Sequence, residues 1–282
     1  MNINQYKGAL VGLAIGDALG ATVEFMKPAE IKAQYGELRD IIGGGWLKLK
    51  PGEVTDDTQM TLCVARSLVA SGGYNPSDMA DHLLAWYRSD PQGTGKACRD
   101  GLERFAQTGE TVHPADEKTA GNGALMRILP IILYFAQQPE LLNQTLLHHT
   151  HLTHTSQVSD EACLCYAELI VKVLTGADVE QLQAATADYR WQPDEYDGKA
   201  GGYVVATITT VLHCFFTTGS FEEALVKCVN LGGDADTTGA ILGGLAGTFY
   251  GFDAVPERWK QSLDRQVHDE LITFAETFFL SV

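Results

Sequence analysis

Two runs of glycine spaced four residues apart constrain this chain more than any other feature. Gly8, Gly12, Gly16 and Gly20 form one series, and Gly239, Gly243, Gly247 and Gly251 form the other. Spacing by four sets each series along one face of a helix. A glycine in a helix interior costs about 1 kcal/mol relative to alanine, so two such series predict two helices whose backbones approach each other closely in the core. That contact would carry Asp17 and Glu24 from one end of the sequence, and Asp234 and Asp236 from the other, toward a common centre.

The rest of the chain reads as helix. Gln59 to Ala70, Met79 to Arg88, Leu125 to Gln137, Glu161 to Leu174, Val204 to Phe216 and Phe221 to Val229 each run about ten residues or more with apolar faces of period 3.6. Start signals agree: Asn75-Pro76 offers a cap and a first-turn proline, Ser159 precedes Asp160 and Glu161, and Ser220 with Glu223 forms a capping box. The longest polar stretch, Tyr189 to Gly202, contains Trp191, Pro193 and Tyr196 and reads as an ordered loop. With no linker to divide it, and 45% hydrophobic residues to fill a core, the chain is expected to form one all-α domain over residues 1–282, a compact orthogonal helix bundle.

The net charge of -16 and the lack of a Lys/Arg cluster argue against a nucleic-acid partner. Six cysteines without a CxxC pair, mostly inside apolar runs, suggest reduced thiols in a cytoplasmic protein. Gly8 to Val23 is apolar, but it contains Asp17, is too short to span a bilayer and follows no basic leader, so it reads as a core helix and no membrane partner is expected. A monomer is compatible with the sequence.

Chemistry concentrates in two acidic clusters, Thr55-Asp56-Asp57-Thr58 and Asp234-Ala235-Asp236-Thr237, the second framed by Gly232, Gly233 and Gly239. Like charges crowded at the edge of apolar segments are costly unless something positive lies between them. Four carboxylates with the hydroxyls of Thr55 and Thr237 make an all-oxygen set suited to two Mg²⁺ or Mn²⁺ ions rather than zinc. Asp234 and Asp236 are expected in a glycine-assisted turn that opens the Gly239 helix. The competing reading of the first cluster is helix capping, with Asp56 and Gln59 as the box. Gly121-Asn122-Gly123 could hold a phosphate or ribose on backbone N–H groups with Arg127 one turn along, or could be a simple turn. His154 fits a hydrogen-bonding substrate ligand better than a zinc ligand. Glu24, read alone, is a surface carboxylate.

At these residues the chain resembles the ADP-ribosylglycohydrolase family, and within it the dinitrogenase reductase-activating glycohydrolases, nearly end to end. The resemblance rests on Gly12-Leu-Ala-Ile-Gly-Asp-Ala-Leu-Gly-Ala-Thr-Val-Glu-Phe25, Gly43-Gly-Gly-Trp-Leu-Lys-Leu-Lys-Pro-Gly52, Thr55-Asp-Asp-Thr58, Gly121-Asn-Gly-Ala-Leu-Met-Arg127 and Leu231-Gly-Gly-Asp-Ala-Asp-Thr-Thr-Gly239. It implies an all-helical fold around a binuclear Mg²⁺ or Mn²⁺ centre that removes ADP-ribose from a modified protein side chain, arginine in the nearest relatives. By the same resemblance Thr55, Asp56, Asp57, Asp234, Asp236 and Thr237 are metal ligands, Glu24 lies beside the metals, and Asn122, Gly123 and His154 line the ADP-ribose cleft, with Arg127 in the same motif. Glu24 and Asp57 are the candidate proton carriers, and Lys96 and Arg127 are candidates to offset the diphosphate.

Relatives carry Asp-x-Gly-Asn where this chain has Gly93-Thr94-Gly95-Lys96, and aspartate where it has Ala206. Two other readings therefore remain open: hydrolysis of another ADP-ribosyl linkage (to serine, a nucleic-acid end or a small molecule), or a catalytically weak regulator that binds ADP-ribose.

Overall fold

The computed structural model describes residues 1–187, 189–191, 198 and 200–281. Among them it contains α1 (Ile3–Gly20), α2 (Pro28–Tyr35), α3 (Asp56–Ser71), α4 (Pro76–Tyr87), α5 (Lys96–Thr108), α6 (Leu129–Tyr134), α7 (Pro139–Thr150) and α8 (Gln157–Leu174). The order continues with α9 (Val179–Thr186), α10 (Val204–Phe216), α11 (Phe221–Val229), α12 (Ala235–Tyr250), α13 (Glu257–Ser262) and α14 (Arg265–Leu280). Pairing in the β manner is confined, among these residues, to two isolated bridges, Gly44 with Leu49 and Gly121 with Tyr203. The fold is all-α, as expected.

The glycine series do what their spacing predicts. A Cβ at Gly8 would fall 2.1 Å from the Gly247 carbonyl oxygen, one at Gly12 2.3 Å from that of Gly243, and one at Gly16 1.9 Å from that of Gly239. The descending partner numbers define an antiparallel pair, α1 against α12, at backbone contact. The match ends one turn early on one side: Gly20 faces Ala235, whereas Gly251 has left the helix at φ +81. Every residue of α1 from Gly8 to Gly20 is buried, so this apolar segment is a core helix. Around the pair pack α14, α11, α10 and α3. No helix among the described residues is long and apolar enough to cross a membrane.

Several helices begin earlier than their apolar periodicity suggests. α3 starts at Asp56 rather than Gln59, because Thr55 is its N-cap and accepts from the Asp57 N–H at 3.3 Å. Capping is therefore real, but Thr55 performs it, and Asp56 and Asp57 occupy the first turn, where the helix dipole favours negative charge. α12 starts at Ala235, so Asp236 sits on a helix instead of in the expected turn; the turn is Gly232-Gly233, at φ +68 and +64. Leu125 to Gln137 is not one helix but a 3₁₀ turn, Leu125–Arg127, followed by α6. Pro130 has no N–H to donate to residue 126, which an uninterrupted helix through 125–137 would require.

Of the expected loop from Tyr189 to Gly202, Pro193 and Tyr196 lie outside the described residues. Trp191 is buried, stacks on Tyr189 and donates its indole N–H to Cys165 Sγ at 3.4 Å. All six cysteines are buried and free.

Candidate functional site

The α1/α12 contact ends where the acidic residues begin. Asp17, on the last turn of α1, is fully buried and accepts from the Thr55 N–H at 3.0 Å, the Thr58 N–H at 3.1 Å and the Thr58 hydroxyl at 2.5 Å. One carboxylate thus satisfies backbone donors that the start of α3 would otherwise leave unpaired, and it fixes that helix end against α1. Burial pushes its pKa up to about 6 against the lowering effect of those bonds. The sequence signal for this role was a lone carboxylate inside a glycine-rich apolar helix.

The two acidic clusters meet directly. The Thr237 hydroxyl donates to Asp57 Oδ2 at 3.3 Å, and the Thr55 hydroxyl reaches the same oxygen at 3.2 Å. Asp57 Oδ1 is buried with no hydrogen-bond partner. Glu24, Asp234 and Asp236 each place a carboxylate oxygen within 4.8 Å of the others. Glu24 is therefore a member of the cluster and not the surface group its isolated sequence context suggests. It is held by the Trp46 indole, which donates to Oε2 at 2.5 Å.

Glu24, Asp56, Asp57, Asp234, Asp236 and Thr237 line one cleft of about 270 Å³, whose walls also include Phe25, Gly93, Lys96, Asn122 and His154. Burial is the main cause of the raised pKa values: Glu24 up to about 7, Asp56 up to about 8, and Asp57 and Asp236 well above the ordinary carboxylate range, with mutual repulsion adding to each. Asp234 is raised too, and the Asn122 amide partly offsets its burial. A buried orphan oxygen amid crowded hard donors fits a divalent-cation centre.

The other predicted residues divide by position. Asn122 donates to Asp234 Oδ2 at 2.6 Å and to Thr207 Oγ1 at 3.0 Å, so both amide hydrogens are spent orienting the cluster. Gly123 lies under His154 and Cys98, where a Cβ would fall 3.0 and 2.9 Å away. Arg127 is fully buried and donates to Gly123 O, Thr153 Oγ1 and His149 Nε2. Its charge lies beneath the cleft and its hydrogen bonds brace the cleft floor.

Because Thr153 Oγ1 accepts from Arg127, its own hydrogen is free to donate to His154 Nδ1, 2.8 Å away. The Nε2 edge of the ring faces Gly121 and Gly123. Burial and Arg127 push the His154 pKa down to about 3, so the ring is neutral. Lys96 reaches the cleft mouth, but its ammonium pairs with Asp100 and is largely exposed.

Comparison with known proteins agrees with this geometry. The family model for ADP-ribosylglycohydrolase matches residues 2–282. The chain is 43% identical over 271 residues to ADP-ribosyl-[dinitrogen reductase] glycohydrolase of Rhodospirillum rubrum, covering 94% of this chain and 92% of that protein. It is 32% identical to the ADP-ribosylarginine hydrolase Tri1 of Pseudomonas putida, covering 94% and 76% respectively. A solved structure described as an ADP-ribosylglycohydrolase-related protein complex superposes with a TM-score of 0.86 at 37% identity, covering 99% of this chain and 98% of that one. The chain belongs to the ADP-ribosylglycohydrolase family, enzymes that hydrolyse glycosyl bonds.

Proposed function

We propose that this enzyme hydrolyses the N-glycosidic bond between ADP-ribose and an arginine side chain of a modified protein, reversing mono-ADP-ribosylation. The observation that carries this reading is the convergence of Glu24, Asp234 and Asp236 with the unpartnered Asp57 Oδ1 in one cleft. The names of the Rhodospirillum and Pseudomonas relatives suggest the linkage.

Thr55, Asp56, Asp57, Asp234, Asp236 and Thr237 are the proposed holders of two divalent cations, Mg²⁺ or Mn²⁺. Such ions, when bound, supply Lewis acidity toward oxygen. In the reaction, water adds to the anomeric carbon, the carbon–nitrogen bond breaks, and the departing nitrogen takes a proton. Glu24 is the proposed proton carrier. Its pKa near 7 lets it gain or lose a proton at Oε1 while Oε2 stays on the Trp46 indole. Asp57, the other candidate, has both threonine hydroxyls on Oδ2, which leaves Oδ1 for a cation. Asn122 orients Asp234, Gly123 leaves room for Cys98 and His154 at the cleft floor, and neutral His154 turns its Nε2 edge toward Gly121 and Gly123. Lys96 and buried Arg127 are the positive charges available to offset the diphosphate.

One domain over residues 1–282, a monomeric state and a cytoplasmic setting complete the proposal, the last in keeping with six unpaired thiols. The test is release of free ADP-ribose from an arginine-modified protein in Mn²⁺. A chelator should abolish it, and Asp234→Ala should lower it at least about a hundredfold, about 2.7 kcal/mol of transition-state stabilisation. Turnover that survives chelation rejects the metal-dependent mechanism.

A further inference from the structure

The acidic cleft opens beside two exposed aromatic rings that the mechanism above leaves without a substrate contact. Phe25 is 66% exposed and Trp46 49% exposed, with ring centroids 5.6 Å apart. Large apolar side chains left together in water at a cleft mouth mark a binding surface.

Both rings are held by unusual backbone. Phe25 sits at φ +63, which is costly for a bulky residue and persists only when its surroundings impose it. Here its N–H donates to Gly233 O at 2.6 Å while the Gly233 N–H donates to Met26 O at 2.9 Å, locking it to the turn that leads into Asp234. Trp46 follows Gly43, Gly44 and Gly45, all at positive φ. Gly45 is pressed on α1's end, where a Cβ would lie 2.2 Å from Ala21 O.

Gly93 completes the arrangement. A Cβ there would lie 3.4 Å from Asp56 Oδ1 and 3.9 Å from Trp46 Cζ2. With only hydrogen there, the part of the cleft lined by Glu24, Phe25, Asp56 and Gly93 stays open as a slot that the edge of the Trp46 indole borders.

We infer that this slot takes the guanidinium of the modified arginine, a planar cation stacked on Trp46, flanked by Phe25 and within reach of the Glu24 carboxylate. The inference rests on the hydrolytic reading above and names what selects its substrate. Guanidinium is weakly hydrated and stacks readily on aromatic faces, indole being the strongest of them. A neutral, oxygen-linked aglycone would gain nothing from the same wall. Phe25 and Trp46 are then specificity-determining residues.

The test compares kcat/KM in Mn²⁺ for an arginine-linked and a serine-linked ADP-ribosyl peptide, in wild type, Trp46→Ala, Trp46→Phe and Phe25→Leu. The arginine-over-serine ratio should fall at least about tenfold in Trp46→Ala, within the span of a desolvated cation–π contact, fall in Phe25→Leu, and recover in large part in Trp46→Phe, which keeps a ring. Equal loss on both peptides, no loss, or wild-type turnover of the serine-linked peptide alone overturns the inference. Calorimetry with free ADP-ribose is the control: an affinity that falls in parallel would put the nucleobase on these rings and overturn it too. Wild-type turnover of neither peptide contradicts the hydrolase reading instead. The slot then stands if an arginine amide saturably quenches tryptophan fluorescence in wild type but not in Trp46→Phe, and falls if it does not.

Discussion

Asp17 illustrates how one residue organises this site without facing its cleft. Its carboxylate holds the N–H groups of Thr55 and Thr58 and thereby sets the pitch of the turn that presents Asp56 and Asp57. Asp17→Ala would leave the Thr55 and Thr58 N–H groups and the Thr58 hydroxyl without their acceptor, at about 1–3 kcal/mol for each donor. The expected outcome is a loss of about 3 kcal/mol or more in denaturant unfolding, together with weakened Mn²⁺ binding; an unchanged midpoint would show that the cap is dispensable. At this scale the sequence was legible for residue type and opaque for partnership. The aspartates and threonines of both clusters were evident as oxygen donors. That Asn122 would turn to Asp234 and that Arg127 would lie wholly under the floor depended on long-range packing that neighbours in sequence do not encode, whereas the glycine series already pointed Glu24 toward the cluster.

Among the elements, α1 and α12 carry the greatest demand for small side chains. A Cβ at Gly243 would fall 2.0 Å from Gly12 O, a backbone atom that cannot rotate aside. Gly243→Ala should therefore force the helices apart and cost about 3 kcal/mol or more, beyond any gain in helix propensity. Gly95→Ala, at a position with nothing within 4 Å and no positive φ, should shift thermal unfolding little by comparison. Equal effects from the two would contradict the backbone-contact account. The four-residue glycine period was a direct signal for this pair because only one kind of packing repays it. Helix boundaries were less legible: caps such as Thr55, and the proline that divides Leu125–Arg127 from α6, act locally against the apolar period that otherwise announces a helix. α2 and α9, eight residues each, bury only Ile31 in the one and Leu182 with Thr186 in the other, too few positions to set a period.

For the whole molecule, the acidic cluster predicts an unusual pH dependence. Carboxylates whose folded pKa values are raised bind more protons folded than unfolded between about pH 4 and those raised values, so stability falls as pH rises. For Asp17, Glu24 and Asp56 the loss should run through about pH 6, 7 and 8. Metal-free protein should accordingly melt at lower temperature at pH 8 than at pH 5. Mn²⁺ should reverse the trend, adding about 2.7 kcal/mol at a free concentration of about 100 Kd, with the larger effect at the higher pH. A metal-free midpoint that rises across this range would contradict the assigned cluster.

The convergence of both chain ends on one centre is the claim on which the rest stands, and calorimetric titration of metal-free protein with Mn²⁺ tests it most directly. Two ions should bind per chain, and Asp57→Asn and Asp236→Asn, from opposite ends of the sequence, should each abolish or weaken binding at least about tenfold, about 1.4 kcal/mol. Binding that withstands either substitution, or no binding in the wild type, would contradict the account.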